Sequence, residues 1–260
     1  MQLWLPVVVA AGYLLCAALF FRVYREKLHP LFALGVLVLV CQGHALVLIR
    51  SVRAGEALNL SVFNVVSIYA WAIAVVAFFG LWRRAEALPG VLIALINALC
   101  VLLPVFFVSE KPFLAALSAG MKLHILLSVA AWSVLSLAFV HALLYAWVFQ
   151  SLKRKRLAGG APIALVGIER VMMVMTAIGA ALLSASLLSG WMYVEDLFAQ
   201  HLWHKTVLTM LSWLVLLWTL FVWLVRRERG MRLAYRLMMA YALLLAGYVL
   251  SNVVLQFVIR

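Results

Sequence analysis

Along this chain of 260 residues the apolar side chains arrive in near-continuous runs of about twenty. That is the length an α-helix needs to cross roughly 30 Å of hydrocarbon at about 1.5 Å per residue. Eight such runs are legible: Leu3–Phe21, Leu31–Ile49, Ser61–Trp82, Gly90–Val108, Met121–Phe149, Val171–Tyr193, Trp203–Val225 and Leu237–Ile259. Inside a bilayer every backbone N–H and C=O must be bonded within the protein. The expected fold is therefore all-α, a polytopic membrane helical bundle with eight transmembrane helices, forming a single integral-membrane domain over residues 1–260. Composition supports this: 68% of residues are hydrophobic and 11% charged, too few polar groups to cover a water-facing surface. A soluble enzyme and a secreted disulfide scaffold are both excluded. The eight acidic residues (Glu26, Glu56, Glu86, Glu110, Glu169, Glu195, Asp196 and Glu228) all fall outside the runs, as the cost of a charge in hydrocarbon demands. Pro104 interrupts the fourth run and is expected to kink it.

The formal net charge of +13 is confined to the ends of the runs, where orientation signals and lipid phosphates account for it. No RNA- or DNA-binding motif accompanies it, and no nucleic-acid partner is expected. Of the 21 Lys and Arg, fifteen lie on one set of loops, around Arg22–Lys27, Arg83–Arg84, Lys153–Arg170 and Arg226–Arg236. Six lie on the other: Arg50, Arg53, Lys111, Lys122, Lys205 and Arg260. By the positive-inside rule the richer side is cytosolic and both termini are outside. The first run has no Lys or Arg before it and reads as a retained span, not a cleavable signal. Cys16, Cys41 and Cys100 lie in separate runs, and no CxxC or CxxCH occurs, so neither a zinc knuckle nor covalent haem attachment is indicated. Ala177, Ala181, Ala185 and Ser189 form a four-residue repeat in the sixth run, expected to be a close helix contact holding the bundle together.

With this orientation the histidines sort by depth. His44 lies about one and a half turns below the outer end of the second span, His124 opens the fifth, and His204 opens the seventh with His201 just before it. His29, followed by Pro30, falls outside the second helix on the cytosolic side. Intramembrane histidine is rare and faces protein or a water-filled cavity, and imidazole is an axial ligand of haem iron. Neutral imidazoles from different helices at similar depth could hold a flat macrocycle. Arg50, Lys122 and Lys205 share that side and are candidate partners for haem propionates. An inner pair is not expected, because His141 lies about 100° around the helix from His124. A two-haem relay across the membrane is accordingly not indicated. No spacing matches a nucleophile–base–acid set, so the chain is not expected to be an enzyme. Ser61, Ser67 and Ser128 read as capping or interhelical hydrogen-bonding groups.

Several blocks resemble the integral-membrane cytochrome c assembly proteins, in the HemX-like or YpjD-like branch that lacks the tryptophan-rich haem loop. They are Gly43-His44 followed by Arg50; Asn59-Leu60-Ser61 with Asn64, Ser67 and Trp71; Lys122-Leu123-His124 with Ser128; and Leu188-Ser189-Gly190 through His204-Lys205-Thr206 to Trp213. The resemblance implies a multi-pass protein of the bacterial cytoplasmic (inner) membrane that binds non-covalent haem b through outer-face histidines. It would act in cytochrome c-type biogenesis or in haem handling and export. The ligand candidates are His44, His124 and His204, and the expected partners are haem, the lipid bilayer and other cytochrome c maturation or haem-synthesis proteins. Where the broader family carries a WGxYWxWDPKE-like loop, this chain reads Tyr193-Val194-Glu195-Asp196-Leu197-Phe198-Ala199-Gln200-His201-Leu202-Trp203-His204-Lys205. HemX-like relatives imply an alternative: a membrane regulator or scaffold that affects haem biosynthesis, through glutamyl-tRNA reductase, without moving haem.

Overall fold

The computed structural model describes residues 4–54, 57–59, 61–81, 86–107, 114–115, 118–154, 161–193 and 203–257, with the side chains of 53–54, 57–58, 114–115, 161–164, 204 and 249–257 outside the description. The chain forms two compact units, Met1–Ser118 and Ala119–Arg260.

In the first unit the helices are α1 (Trp4–Tyr24), α2 (Pro30–Val52), α3 (Val62–Phe78), α4 (Ala87–Cys100) and the single turn α5 (Leu103–Phe106). Short strands β1 (Arg53–Ala54), β2 (Ala57–Asn59) and β3 (Leu114–Ala115) form a small antiparallel sheet, with Arg53 opposite Leu58 and Asn59 opposite Leu114. These strands add to the all-α expectation a backbone-paired turn after α2. The four long helices pack as a ring, α1 on α2 and α4, and α3 on α2 and α4. A helix that is apolar all round does not announce its buried face; close packing of small residues selects it. In α1 the buried stripe is Val9, Tyr13, Cys16, Ala17, Phe20 and Val23, while Val8, Leu15 and Phe21 are exposed. Gly12 and Gly43 bring α1 and α2 together: a Cβ on Gly12 would sit 2.8 Å from Val40 Cγ2, and one on Gly43 would sit 3.0 Å from Val9 Cγ2. The end of α1 is a left-handed cap at Glu26 (φ 58°), with Lys27 N–H donating to Arg22 O and Glu26 N–H to Val23 O. As expected, His29 stands outside α2, which starts on Pro30; its Nδ1 accepts the Leu31 N–H at 3.3 Å. The fourth run is broken just ahead of Pro104. Helix α4 stops at Cys100, Val101 and Leu102 turn, and Pro104 enters the first turn of α5, where its missing N–H costs no helical bond.

The second unit contains α6 (Ala119–Lys153), α7 (Ala161–Tyr193), α8 (Trp203–Leu224) and α9 (Met231–Phe257), again packed in a ring, with α6–α7 and α8–α9 the closest pairs. Helix α7 begins ten residues before its predicted start at Val171. Hydropathy stops at Glu169 and Arg170, whereas helical geometry does not. The Glu169 carboxylate accepts the Gly230 N–H at 2.9 Å and faces Arg229 Nε at 3.6 Å, so the extension is anchored to the α8–α9 turn.

The predicted small-residue ridge lies only partly in the α6–α7 contact: Ser189 is buried and bonds His124, but one member turns outward. Ala181 of the predicted small-residue ridge is exposed. Helix α6 approaches α7 at Gly179 and Gly190: a Cβ on Gly179 would lie 2.6 Å from Leu135 Cδ2, and one on Gly190 would lie 3.0 Å from His124 Cε1. Gly179, Ser186 and Gly190 follow the alternating seven- and four-residue steps of a straight face, while a strict four-residue repeat drifts about 40° per step. Ser136 Oγ and Tyr241 OH meet at 2.7 Å, and Ser212 Oγ donates to Ala240 O at 2.7 Å, which ties α6 and α8 to α9.

Among the described residues, six helices are long and apolar enough to cross a membrane: α1, α2, the α4–α5 segment Ala87–Phe106, α6, Leu165–Tyr193 of α7 and Lys205–Leu224 of α8. The apolar α3 is shorter at 17 residues. The protein is a multi-pass helical membrane protein.

Candidate functional site

Of the predicted ligand histidines, His44 in the first unit and His124 in the second have described hydrogen-bond partners, and the two are in different states. In the first unit His44 is fully buried, at 0% exposure. Its Nδ1 lies 3.0 Å from Tyr13 OH on α1, and its Nε2 lies 3.0 Å from Ser67 Oγ on α3. Three helices are thus joined through one imidazole, and both ring nitrogens are engaged. Tyr13 packs edge-on to the ring at a centroid separation of 5.6 Å, and its hydroxyl also meets Cys41 Sγ at 3.7 Å. Trp71 Nε1–H donates to the Cys41 carbonyl at 3.0 Å, a second tie between α3 and α2. Asn64 donates to the carbonyls of Ser51 and Asn59, fixing the start of α3 under the small sheet. Ser67 therefore has the interhelical role expected of it. Ser61 stands at the N-cap of α3 without a side-chain capping bond; its N–H instead donates to Asn59 Oδ1. A groove of about 270 Å³ opens between α2 and α3, walled by Leu37, Cys41, Gln42, Trp71 and Phe78. It lies just below the range of roughly 300–1,000 Å³ usual for ligand pockets, and His44 is not in its wall.

In the second unit His124 lies in the second turn of α6 and is partly exposed. Its Nδ1 lies 3.0 Å from the Ser186 carbonyl and 3.2 Å from Ser189 Oγ. A carbonyl oxygen only accepts, so this bond puts the proton on Nδ1, and in the neutral ring Nε2 then carries a lone pair. Nε2 has no hydrogen-bond partner among the described residues. Ser189 Oγ–H donates to the same Ser186 carbonyl at 2.9 Å, and Ser128 Oγ meets Ser186 Oγ at 2.7 Å, so the carbonyl that orients the ring is itself held. Gly190 backs the ring, leaving no room for a side chain on that face. A histidine that donates one ring N–H to a backbone carbonyl and presents the other nitrogen is arranged as metal-ligating histidines are. His124 thus suits the iron of a haem as it stands. His44 could offer Nε2 only after the Ser67 hydroxyl turns away.

The basic residues divide similarly. Lys205, near the start of α8, lies in the same unit as His124, close enough for its charge to act on the imidazole. Lys122 is exposed two residues before His124, and Arg50 is exposed in the last turn of α2, about 9 Å along the helix axis from His44. His204 lies in α8 with its side chain outside the description, and His201 lies outside the described residues. His141 is buried and bonds the carbonyl of Leu137 one turn back at 2.7 Å. Trp191 and Trp203 are 76% and 44% exposed. Among the described residues no three His, Cys, Asp or Glu side chains gather as a metal-holding group.

Sequence reasoning missed Tyr13 and Ser186. Tyr13 carried a usable signal, since a tyrosine deep in an apolar run, away from the interfacial belt, needs a buried partner for its hydroxyl. Ser186 contributes its backbone carbonyl, which no side-chain pattern announces.

Residues from the blocks singled out in the sequence meet one another within each unit: His44 with Ser67, and His124 with Ser189 and Gly190. Comparison with known proteins agrees. The family described as "Cytochrome C assembly protein" matches residues 31–259. The chain is 35% identical over 194 residues to the "Inner membrane protein YpjD" of Escherichia coli K12, covering 71% of this chain and 72% of that protein. The same figures hold for the proteins of that name in the O6:H1 and O157:H7 strains. No solved structure matches the chain. With inner-membrane relatives and several membrane-spanning helices, the protein is a multi-pass protein of the inner membrane. The chain belongs to the cytochrome c assembly protein family.

Proposed function

We propose that the protein binds haem b non-covalently near the outer membrane face and acts in cytochrome c-type biogenesis or in haem handling and export. The observation that carries this is His124: an Nδ1–H held by a backbone carbonyl and an Nε2 lone pair without a hydrogen-bond partner among the described residues. His124 is the first axial ligand in this proposal. His44 is the second candidate, reached by rotation of Ser67, and His204 the third. Lys205, Lys122 and Arg50 are the proposed propionate partners. The proposed topology has eight spans with both termini outside, which puts all three histidines toward one face. Haem, when bound, would supply the iron; the protein's part is to orient the imidazole and exclude competing ligands, with no bond-making catalysis. Purified protein from cells fed haem precursor should show a Soret band that shifts on reduction, and a protein without one would contradict the proposal.

The chain's departure from the tryptophan-rich motif over residues 193–205 supports a second reading, a HemX-like regulator or scaffold that affects haem synthesis without moving haem. Gene deletion separates the two. Loss of c-type cytochromes supports the first, and altered haem-precursor levels with normal cytochromes support the second.

A further inference from the structure

The turn between α8 and α9 is held from two sides. Arg227 and Gly230 adopt left-handed backbone (φ 56° and 93°), Glu228 N–H donates to Val222 O at 3.1 Å, and Gly230 N–H donates to Glu169 at 2.9 Å. This pinned turn is rich in arginine. Glu228 is occupied by Arg236 at 2.8 Å, with Arg232 at 4.0 Å, and Glu169 faces Arg229. Arg226 and Arg227 are exposed and pair with no carboxylate among the described residues.

The guanidinium of Arg226 folds back over the Trp218 ring at 5.6 Å, and that of Arg229 over Trp223 at 5.3 Å. The surface beneath Arg226 is apolar and open: Trp218 is 49% exposed, Phe221 44%, Leu224 59% and Val225 64%. Positive charge without a salt-bridge partner among the described residues therefore runs from the turn into the exposed apolar surface at the end of α8. A soluble phosphate would satisfy the guanidinium groups and leave that surface bare. A zwitterionic lipid would cover it and add no net negative charge. We propose that this surface is a binding site for one anionic phospholipid, its phosphate on Arg226 and Arg227 and an acyl chain along Trp218, Phe221 and Leu224. Arginine at a membrane surface favours anionic lipid by about fivefold per residue.

The test uses the full chain in a neutral detergent. Its thermal midpoint is followed while dioctanoyl phosphatidylglycerol, dioctanoyl phosphatidylcholine or inorganic phosphate is added. Phosphatidylglycerol should raise the midpoint in a saturable way, and the other two should not. Arg226→Gln with Arg227→Gln should weaken the phosphatidylglycerol effect by about 10- to 30-fold. Arg25→Gln with Lys27→Gln, an equal charge loss in the first unit, should leave it intact. Equal shifts from the two lipids, a shift reproduced by inorganic phosphate, or the same weakening in the first-unit variant would overturn the proposal. If the arginine variant does not fold, wild-type tryptophan fluorescence decides. Brominated phosphatidylglycerol should quench it at several-fold lower concentration than brominated phosphatidylcholine, and equal quenching would refute the site.

Discussion

His44 makes a quantitative prediction about how the first unit is held together. Replacing it by alanine removes two hydrogen bonds of 3.0 Å, to Tyr13 and Ser67, from a site with 0% exposure. Interhelical side-chain bonds in membranes average about 0.6 kcal/mol and reach about 1.7, so the two together contribute about 1–2 kcal/mol. The lost ring leaves a void of about 60 Å³, worth about 1.5 kcal/mol at about 24 cal/mol per Å³. His44→Ala should therefore cost about 3 kcal/mol, while Tyr13→Phe and Ser67→Ala should each cost about 1 kcal/mol. Because Tyr13 and His44 share one bond, their double mutant should fall short of additivity by about 1 kcal/mol. Reversible unfolding in mixed micelles of increasing SDS fraction, read by far-ultraviolet circular dichroism, measures all four. A His44→Ala cost below about 1 kcal/mol, or full additivity with Tyr13→Phe, would refute the three-helix tie.

Gly179→Ala should destabilise the second unit by about 1–3 kcal/mol through overpacking on Leu135, while Ala181→Leu on the exposed face should change it by less than about 0.5 kcal/mol; the same unfolding assay reads both. Glu169→Ala should speed hydrogen exchange at the Gly230 amide about tenfold, and an unchanged rate would mean the turn is held elsewhere. The hydrogen bond from Arg236, aided by the charges of Arg236, Arg232 and Arg226, holds the Glu228 carboxyl below its ordinary value of about 4.5. A depressed folded value means that its contribution is complete above pH about 4.5 and is lost as pH falls through the lower folded value. Unfolding midpoints measured across that acid window should fall more for wild type than for Glu228→Gln.

The helical runs could be read from the sequence, six of them long and apolar enough to span among the described residues, because hydrocarbon thickness and backbone satisfaction leave little choice. The positions of His29 outside α2 and of the break near Pro104 followed from what proline forbids. Helix ends were less legible where a helix continues beyond the hydrocarbon: Glu169 and Arg170 end the apolar run but not α7. Helix faces were the least legible. Nothing in an all-apolar segment distinguishes Ala181, which is exposed, from Gly179, which packs against Leu135. The histidines could be singled out because a polar ring in a span requires an explanation. Their states could not, because those depend on Tyr13, 31 residues from His44, and on a carbonyl 62 residues from His124.

The most direct test is a haem titration of detergent-purified apoprotein, following the Soret band in wild type, His124→Ala and His44→Ala in parallel. If His124 is the primed ligand, its removal should weaken binding at least about tenfold in a protein that still folds. His44→Ala should show its larger effect in stability. Wild-type affinity in His124→Ala, together with lost binding in a folded His44→Ala protein, would contradict the assignment.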